Sequence, residues 1–300
     1  MARLKLSLLG SFQVLLDGEI LDTFAYNKVR ALLAYLAADS QHPQRRETLA
    51  ELLWPGWPQT SALRNFSSAL SNLRKTIHDR EARPPFLLIS CDSLQLDREG
   101  DVWVDAWEFN EKARNPNADI DALKSAAGLY HGTFLDGFSL PDSAPFELWL
   151  EMQREIYRRW ILHILNELEI HHENQQEYEQ ALLYSHRQLE LEPWLEEAHQ
   201  GVMRLLALSG QRKAALVQYE VCREALKDSL DVEPGAEINA LYEKIRNGRL
   251  EAIETGEMKG EERTHQPPPS IPSAHPSRTD NLPAPSASLV GRQTELGRQR

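Results

Sequence analysis

The chain of 300 residues has only two cysteines, Cys91 and Cys222, and neither belongs to a Cys-x-x-Cys or Cys/His cluster. This scarcity argues against a disulfide scaffold or a zinc site and fits a reducing compartment. No stretch approaches the roughly 20 apolar residues of a membrane span. Ser7, Gly10 and Ser11 interrupt the apolar N-terminal stretch, which favours a first β-strand over a signal peptide. We therefore expect a cytoplasmic protein without a membrane partner.

Catalytic motifs are also missing. The sequence has no Gly-x-x-x-x-Gly-Lys-Ser/Thr phosphate loop and no Gly-x-Ser-x-Gly nucleophile elbow. The tract His171-His172-Glu173 has metal-ligand residue types, but neighbouring side chains on a helix point about 100° apart and do not share a site. The sequence therefore predicts no enzyme, no cofactor and no metal.

The net charge of −12 is distributed unevenly. Residues 1–104 hold 12 Lys and Arg against 12 Asp and Glu, whereas residues 105–300 hold 21 against 33. Within residues 61–83 there are five cations and only two acids. A local basic patch on an acidic protein can bind DNA when the acidic part lies away from the phosphates, and a dimer would strengthen that binding.

Residues 61–77 contain no carboxylate at all. Apolar residues recur there at helical spacing, and the opposite side of the predicted helix carries Arg, Ser, Asn and Lys. These residue types meet phosphates and the hydrogen-bonding edges of bases, so the segment is typical of a recognition helix. The alternative interpretation is a core helix that happens to be rich in serine. The candidate groove-contacting residues are Arg64, Asn65, Ser68, Ser71, Asn72 and Lys75.

The elements around this helix favour the recognition-helix interpretation. An apolar run over residues 4–17 ends in a hairpin signal, helices are predicted from Asn27 and over residues 45–53, and β-runs flank Cys91-Asp92-Ser93. Residues 102–104 are a further candidate strand. Strands, three helices and a hairpin predict a winged helix, with the third helix in the major groove and Asp92 and Ser93 on the wing. Thr60 or Ser61 is the expected N-cap of the third helix.

Four segments carry a resemblance to a known family. Residues 28–36, 47–55, 62–65 and 69–74 resemble the OmpR-type DNA-binding domain of SARP transcriptional activators, which we assign to residues 1–104. The resemblance implies binding to direct-repeat DNA, recruitment of RNA polymerase, and groove-facing positions for the six candidate residues. Arg45-Arg46 departs from the Ser or Thr cap that is common in the family; the arginines either contact a phosphate or are solvated. Our candidates for phosphate contacts are Lys28, Arg30, Arg45 and Arg74.

The second domain is assigned to residues 105–250, and residues 143–250 within it have a helical pattern with a repeat. Ala181 and Ala215 are 34 residues apart, the tetratricopeptide period, whereas the closing Pro193 and Pro234 are 41 apart, which predicts a longer helix in the second unit. The region resembles the bacterial transcriptional activator domain that follows the winged helix in SARP proteins. The resemblance implies protein contacts, including dimerisation or polymerase binding; the alternative is a helical scaffold only.

The fold class predicted from the sequence is mainly α with a small β component: an N-terminal winged helix and a tetratricopeptide-like helical domain. Residues 251–287 are rich in Pro and Ser and predict a disordered linker. Residues 288–300 resemble the start of the nucleotide-binding domain of larger SARP regulators. The predicted function is a sequence-specific transcriptional activator that binds double-stranded DNA as a homodimer; the alternative is an adaptor that uses both domains for protein docking.

Overall fold

The computed structural model describes residues 3–248, which form ten helices and two small sheets. The helices are α1 (Asn27–Ala38), α2 (Arg46–Leu53), α3 (Gln59–Thr76), α4 (Asp105–Ala113), α5 (Ile120–Leu129), α6 (Ala144–Asn174), α7 (Tyr178–Leu191), α8 (Glu196–Leu208), α9 (Arg212–Leu230) and α10 (Ala236–Arg246). The strands are β1 (Leu4–Ser7), β2 (Gln13–Leu16), β3 (Glu19–Ile20), β4 (Gln44–Arg45), β5 (Leu87–Ile89), β6 (Ser93–Leu96) and β7 (Val102–Val104). The linker expected at 251–287 and the segment at 288–300 lie outside the described residues.

The N-terminal sheet has the strand order β3-β2-β1-β7. The run over residues 4–17 is two antiparallel strands instead of one, because the chain turns back through residues 8–12 and brings Leu4 opposite Leu16. The predicted turn at residues 17–18 is present, and both of its residues have positive φ angles, 53° and 90°. A two-residue hairpin turn requires this backbone conformation because it matches the twist of the strands.

The strand predicted at residues 102–104 forms, but it does not join the hairpin. It is β7, which lies parallel to β1 with Leu4 opposite Val102. The hairpin β5–β6 instead takes its third strand from β4, where Arg45 pairs with Ser93. The sequence pattern favoured a helix at Arg45 because two paired residues are too few to show the alternation of a strand.

The recognition-helix candidate begins two residues before the predicted start. α3 starts at Gln59 directly after Pro58, whose carbonyl accepts the N–H groups of Ser61 and Ala62 at 2.8 and 3.0 Å. Neither Thr60 nor Ser61 is the N-cap. Proline fits at the start of a helix because its φ is already close to the helical value and no N–H is needed there.

The helical region contains the two repeats expected from the spacing. Ala181 in α7 and Ala215 in α9 occupy the fourth position of their helices, and both are fully buried. α7 has 14 residues and α9 has 19, so five of the seven extra residues lengthen the helix. Small side chains at these positions allow neighbouring helices to approach closely.

A buried charge network lies where α6, α7 and α8 meet. The Glu169 carboxylate accepts a hydrogen bond from Gln188 Nε2 at 2.8 Å and pairs with Arg204 at 3.3 Å. It occupies the space that a side chain at Gly201 would need. Burial raises the pKa of Glu169, against the opposing effect of the Arg204 guanidinium. A side chain at position 201 would therefore displace the Glu169 carboxylate, and the Arg204 guanidinium offsets the burial of its charge.

The packing continues without a break where β7 ends and α4 begins. Asp105 is only 3% exposed, and its carboxylate accepts the N–H groups of Leu8, Leu9 and Ala106 at 2.7 to 2.9 Å. These bonds join the end of β1 to the first turn of α4. The two parts that the sequence distinguishes are therefore joined by hydrogen bonds from backbone N–H groups to one buried carboxylate.

Aromatic contacts extend this junction. The rings of Tyr35 on α1 and Trp149 on α6 lie 4.8 Å apart, and Trp107 Nε1 donates to the carbonyl of Ala37 at 2.6 Å. Ser143, the N-cap of α6, donates its hydroxyl to the carbonyl of Leu52 at the end of α2. The described residues belong to one compact unit.

We predict a pH-dependent contribution of Asp105 to stability. Burial raises the pKa of this carboxyl to about 6, although the N–H donors of Leu9, Leu8 and Ala106 act in the opposite direction. Between about pH 4 and pH 6 the folded chain then holds a proton that the unfolded chain has released, so the free energy of unfolding falls as the pH rises through this window. The expected change is on the order of 2 kcal/mol.

Thermal melting of Asp105→Asn provides the measurement because the amide does not titrate. The melting temperature of the wild type should fall relative to that of the variant as the pH rises from 4 to 7. A difference between the two proteins that stays constant over this range would contradict the prediction.

Candidate nucleic-acid interface

The exposed face of α3 carries the predicted groove-contacting side chains. Its apolar side is buried against the core through Ala62, Phe66, Ala69, Leu70 and Leu73. At about 100° per residue, the exposed side chains of Arg64, Ser68, Ser71 and Lys75 project from the opposite side. α3 therefore presents two cations and two hydroxyls in a row along about three helical turns. No carboxylate lies anywhere within Gln59–Thr76.

Asn65 and Asn72 lie on one flank of this face and are half-buried. Their spacing of two helical turns places the two amides in line along the helix. The hydroxyl of Ser68 donates to the carbonyl of Arg64 at 3.2 Å within α3. The amides and Arg64 therefore remain the side chains on α3 best suited to pair with base edges, since Asn and Arg both form bidentate hydrogen bonds.

The wing lies beside the start of α2. Arg45 is the N-cap residue of α2, but its side chain makes no capping hydrogen bond. The N–H of Arg46 donates instead to the carbonyl of Asp92 in the wing turn at 2.9 Å. The wing backbone thus accepts the first N–H of a helix that has no Ser or Thr cap. The Arg45 side chain is 70% exposed and lies 3.8 Å from the Glu47 carboxylate.

Side-chain hydrogen bonds shape the wing turn. The Ser90 hydroxyl donates to the Asp92 carboxylate at 2.7 Å, and the Ser90 and Ser93 hydroxyl oxygens are 2.7 Å apart. The hydrogen bond from Ser90 holds the pKa of Asp92 below its usual value, with a smaller effect of Arg45. The wing tip therefore carries a full negative charge at neutral pH, which suits an amine donor better than a phosphate.

Arg74 has a protein partner. Its Nε donates to the Asp79 carboxylate at 2.8 Å, and the Asp79 side chain is fully buried. The Arg74 side chain is 30% exposed. The predicted phosphate contact is thus restricted to the part of the guanidinium that faces solvent.

Lys28 and Arg30 lie at the junction with the helical region, not beside the exposed face of α3. The Lys28 ammonium pairs with Asp142 at 2.8 Å, lies over the Trp54 ring at 5.0 Å, and belongs to a side chain that is 12% exposed. The Arg30 guanidinium lies over the rings of Phe12 and Phe138. The sequence could not distinguish these two cations from DNA-facing ones, because Asp142 and Phe138 lie more than 100 residues away along the chain.

Sequence reasoning missed the residues that support this surface. Ser90 orders the wing turn, and Asp79 connects the end of α3 with the start of β5. A Ser two residues before an Asp in a short hairpin is a turn signal that was available. No such signal marks Asp79, because its role depends on a hydrogen bond from the Leu87 N–H that forms only in the folded chain.

Within residues 3–248 no group of three or more His, Cys, Asp or Glu side chains is placed to hold a metal ion. Over the same residues no helix is both long and apolar enough to cross a membrane.

Comparison with known proteins supports a regulatory role. Residues 104–246 match the bacterial transcriptional activator domain family. The transcriptional regulatory protein EmbR of Mycobacterium tuberculosis and that of Mycobacterium bovis are each 26% identical over 266 residues, which is 81% of this chain. The chain spans only 63% of the length of these curated relatives.

A solved structure shares the fold. The structure of Mycobacterium tuberculosis EmbR in complex with a low affinity phosphopeptide superposes with a TM-score of 0.63 at 22% identity, covering 84% of this chain and 68% of that one. The predicted fold class, a winged helix followed by a tetratricopeptide-like helical region, is confirmed. The match over residues 104–246 and these relatives support the resemblance to SARP-type transcriptional regulators that the sequence indicates.

Proposed function

We propose that the chain is a sequence-specific activator that binds direct-repeat promoter DNA as a homodimer and contacts RNA polymerase. The acid-free exposed face of α3 carries the proposal. Arg64, Asn65, Ser68, Ser71, Asn72 and Lys75 provide base-edge and groove contacts, and Arg45 contacts a phosphate beside the wing.

The electrostatic arrangement supports this assignment. Residues 1–104 are neutral overall, and the whole net charge of −12 belongs to residues 105–300. Phosphates would repel the helical region, so that region is better suited to protein partners than to DNA. Binding by a single copy should be modest, which favours two copies on two neighbouring half-sites.

Lys75→Ala should weaken binding to every DNA sequence by a similar factor. The loss of one phosphate contact should flatten the slope of log K against log salt by about 0.9. Mobility shifts of the full chain at several salt concentrations measure this slope. Lys28→Gln is the matched control, because Lys28 is already paired with Asp142 and its removal should leave the slope unchanged.

The triple variant Arg64→Ala/Asn72→Ala/Lys75→Ala should lose specific binding altogether. If its binding equals that of the wild type, α3 is not the recognition helix. Failure of the wild-type chain to be retained on DNA or heparin at low salt would favour the adaptor interpretation instead.

Asn72→Ala should change base preference. A bidentate Asn–adenine pair discriminates against other bases by about 1–3 kcal/mol, so its loss should relax selection at one position of each half-site. Selection of bound sites from a random DNA pool, done in parallel for wild type and variant, measures the change. It also shows whether the half-sites are tandem or palindromic. An unchanged consensus with lower affinity would assign Asn72 to the backbone.

The polymerase contact is best tested on the tetratricopeptide-like repeats. Leu183 on α7 and Val217 on α9 are 34 residues apart, and each side chain is 61% exposed. Both project from the side of their helix opposite the buried Ala181 and Ala215, so the repeats place two apolar side chains on equivalent exposed positions.

We expect the double variant Leu183→Ser/Val217→Ser to bind DNA like the wild type and to activate transcription less in a reaction with purified RNA polymerase. Both side chains are mostly exposed, so the substitutions remove little buried apolar area and should preserve the fold. Leu148→Ser on α6, equally exposed but outside the repeats, is the control. Full activation by the double variant would remove these residues from the polymerase interface.

A further inference from the structure

The end of α3 is tied to the start of the wing by one buried carboxylate. Asp79 Oδ2 accepts the Arg74 Nε–H at 2.8 Å, and Asp79 Oδ1 accepts the backbone N–H of Leu87, the first residue of β5, at 2.9 Å. The side chain of Asp79 has no exposed surface. Asp79 is too buried to contact a ligand, and it bridges α3 and the wing, the two elements that contact DNA in the proposed function.

The backbone at the end of α3 holds this carboxylate in place. The chain reverses at His78, whose φ is +53°, so that the N–H of His78 donates to the carbonyl of Lys75 at 3.3 Å and the N–H of Asp79 to that of Arg74 at 2.9 Å. This pair of bonds is the Schellman arrangement of a helix C-terminus. It sets Asp79 back against the last turn of the helix, within reach of the Arg74 guanidinium.

The pairing is selective in both directions. A buried carboxylate needs a cation or several donors to offset its lost hydration, and Asp79 has one of each kind on its two oxygens. The Nε–H of Arg74 is used in the hydrogen bond to Asp79. The neighbouring Lys75, by contrast, is exposed and pairs with no acid among the described contacts. Consecutive cations on the same helix therefore have different surroundings.

We propose that Arg74 and Asp79 are positioning residues, which fix the angle between the recognition helix and the wing, and that Arg74 is not primarily a phosphate ligand. This inference rests on the proposed DNA-binding function. It implies that Arg74 acts on DNA through Asp79 and β5, so its effect should vanish when Asp79 is already absent.

A double-mutant cycle on specific DNA tests the coupling. Arg74→Ala in the wild-type chain should lower specific affinity at least about fivefold, comparable with the loss of one base contact. In the Asp79→Ala background the same substitution should lower the affinity for specific DNA by less than about twofold. This is the deviation from additivity that is usual for independent sites. Arg80→Ala removes a nearby exposed cation and serves as the control for charge alone.

Two further measurements separate positioning from other effects. The salt slope should be the same for Arg74→Ala and wild type, and amide exchange at Leu87 should accelerate in Asp79→Ala. Asp79→Asn is the gentler variant, since its amide oxygen still accepts the Leu87 N–H while its NH₂ group cannot accept from Arg74. Thermal melting identifies any variant that does not fold, and Asp79→Asn then replaces Asp79→Ala in the cycle.

Equal effects of Arg74→Ala in both backgrounds, with a salt slope lowered by about 0.9, would overturn the inference and make Arg74 a phosphate ligand. No effect of Arg74→Ala in either background would also overturn it. If the wild-type chain shows no sequence preference on DNA, the proposed function itself fails, and Leu87 exchange still reports on the Asp79 bridge. The failures of the two proposals are therefore distinguishable.

Discussion

The buried carboxylate of Asp105 is the interaction on which the arrangement of the two halves depends. Three backbone N–H groups converge on it, two from the end of β1 and one from the first turn of α4. The chain leaves its sheet pairing at this end of β1, so these N–H groups have no strand partner and would be costly to bury unpaired. One side chain thus accepts the N–H groups at the end of β1 and in the first turn of α4, and so joins the N-terminal part to the helical part.

Because this junction is continuous, the exposed face of α3 and the repeats are carried by one packed unit. Tyr35 and Trp149 extend the contact from α1 to α6, and the Lys28–Asp142 pair closes its edge. Such a unit suits an activator in which one surface binds DNA and another contacts protein, since a fixed distance between the two surfaces sets where the second partner is held. The acidic helices are attached through α1 and α2, and α3 packs in this unit only with its buried side.

Periodicity was enough to predict the helices of the N-terminal part and the repeats. α1 and α2 lie within one residue of their predicted starts, and the 34-residue spacing identified the equivalent alanines Ala181 and Ala215. The pattern failed for β4 and for the partner of β7, because a strand of two or three residues shows no alternation and its pairing is set by distant parts of the chain. α4, which begins at Asp105, and α5 precede the helical pattern that starts at residue 143 and were not predicted either.

For the candidate site, the sequence predicted which residue types are present but not which groups surround each side chain. Lys28, Arg30, Arg74 and Lys75 are all cations in the predicted winged helix, and nothing local distinguishes them. In the folded chain Lys28 pairs with a carboxylate, Arg30 packs on aromatic rings, Arg74 pairs with Asp79, and only Lys75 is exposed on the open face of α3.

A cation held by protein groups has already exchanged its water for those groups and gains little from a phosphate, whereas an exposed one releases counterions when it binds. The partners of each cation, rather than the count of cations, therefore determine which of them can contribute to the salt dependence of DNA binding. By this criterion Lys75 and Arg64 form the electrostatic surface. Arg45 joins them because its 3.8 Å ion pair with Glu47 is exposed to solvent, and Arg74 belongs to the framework that holds this surface.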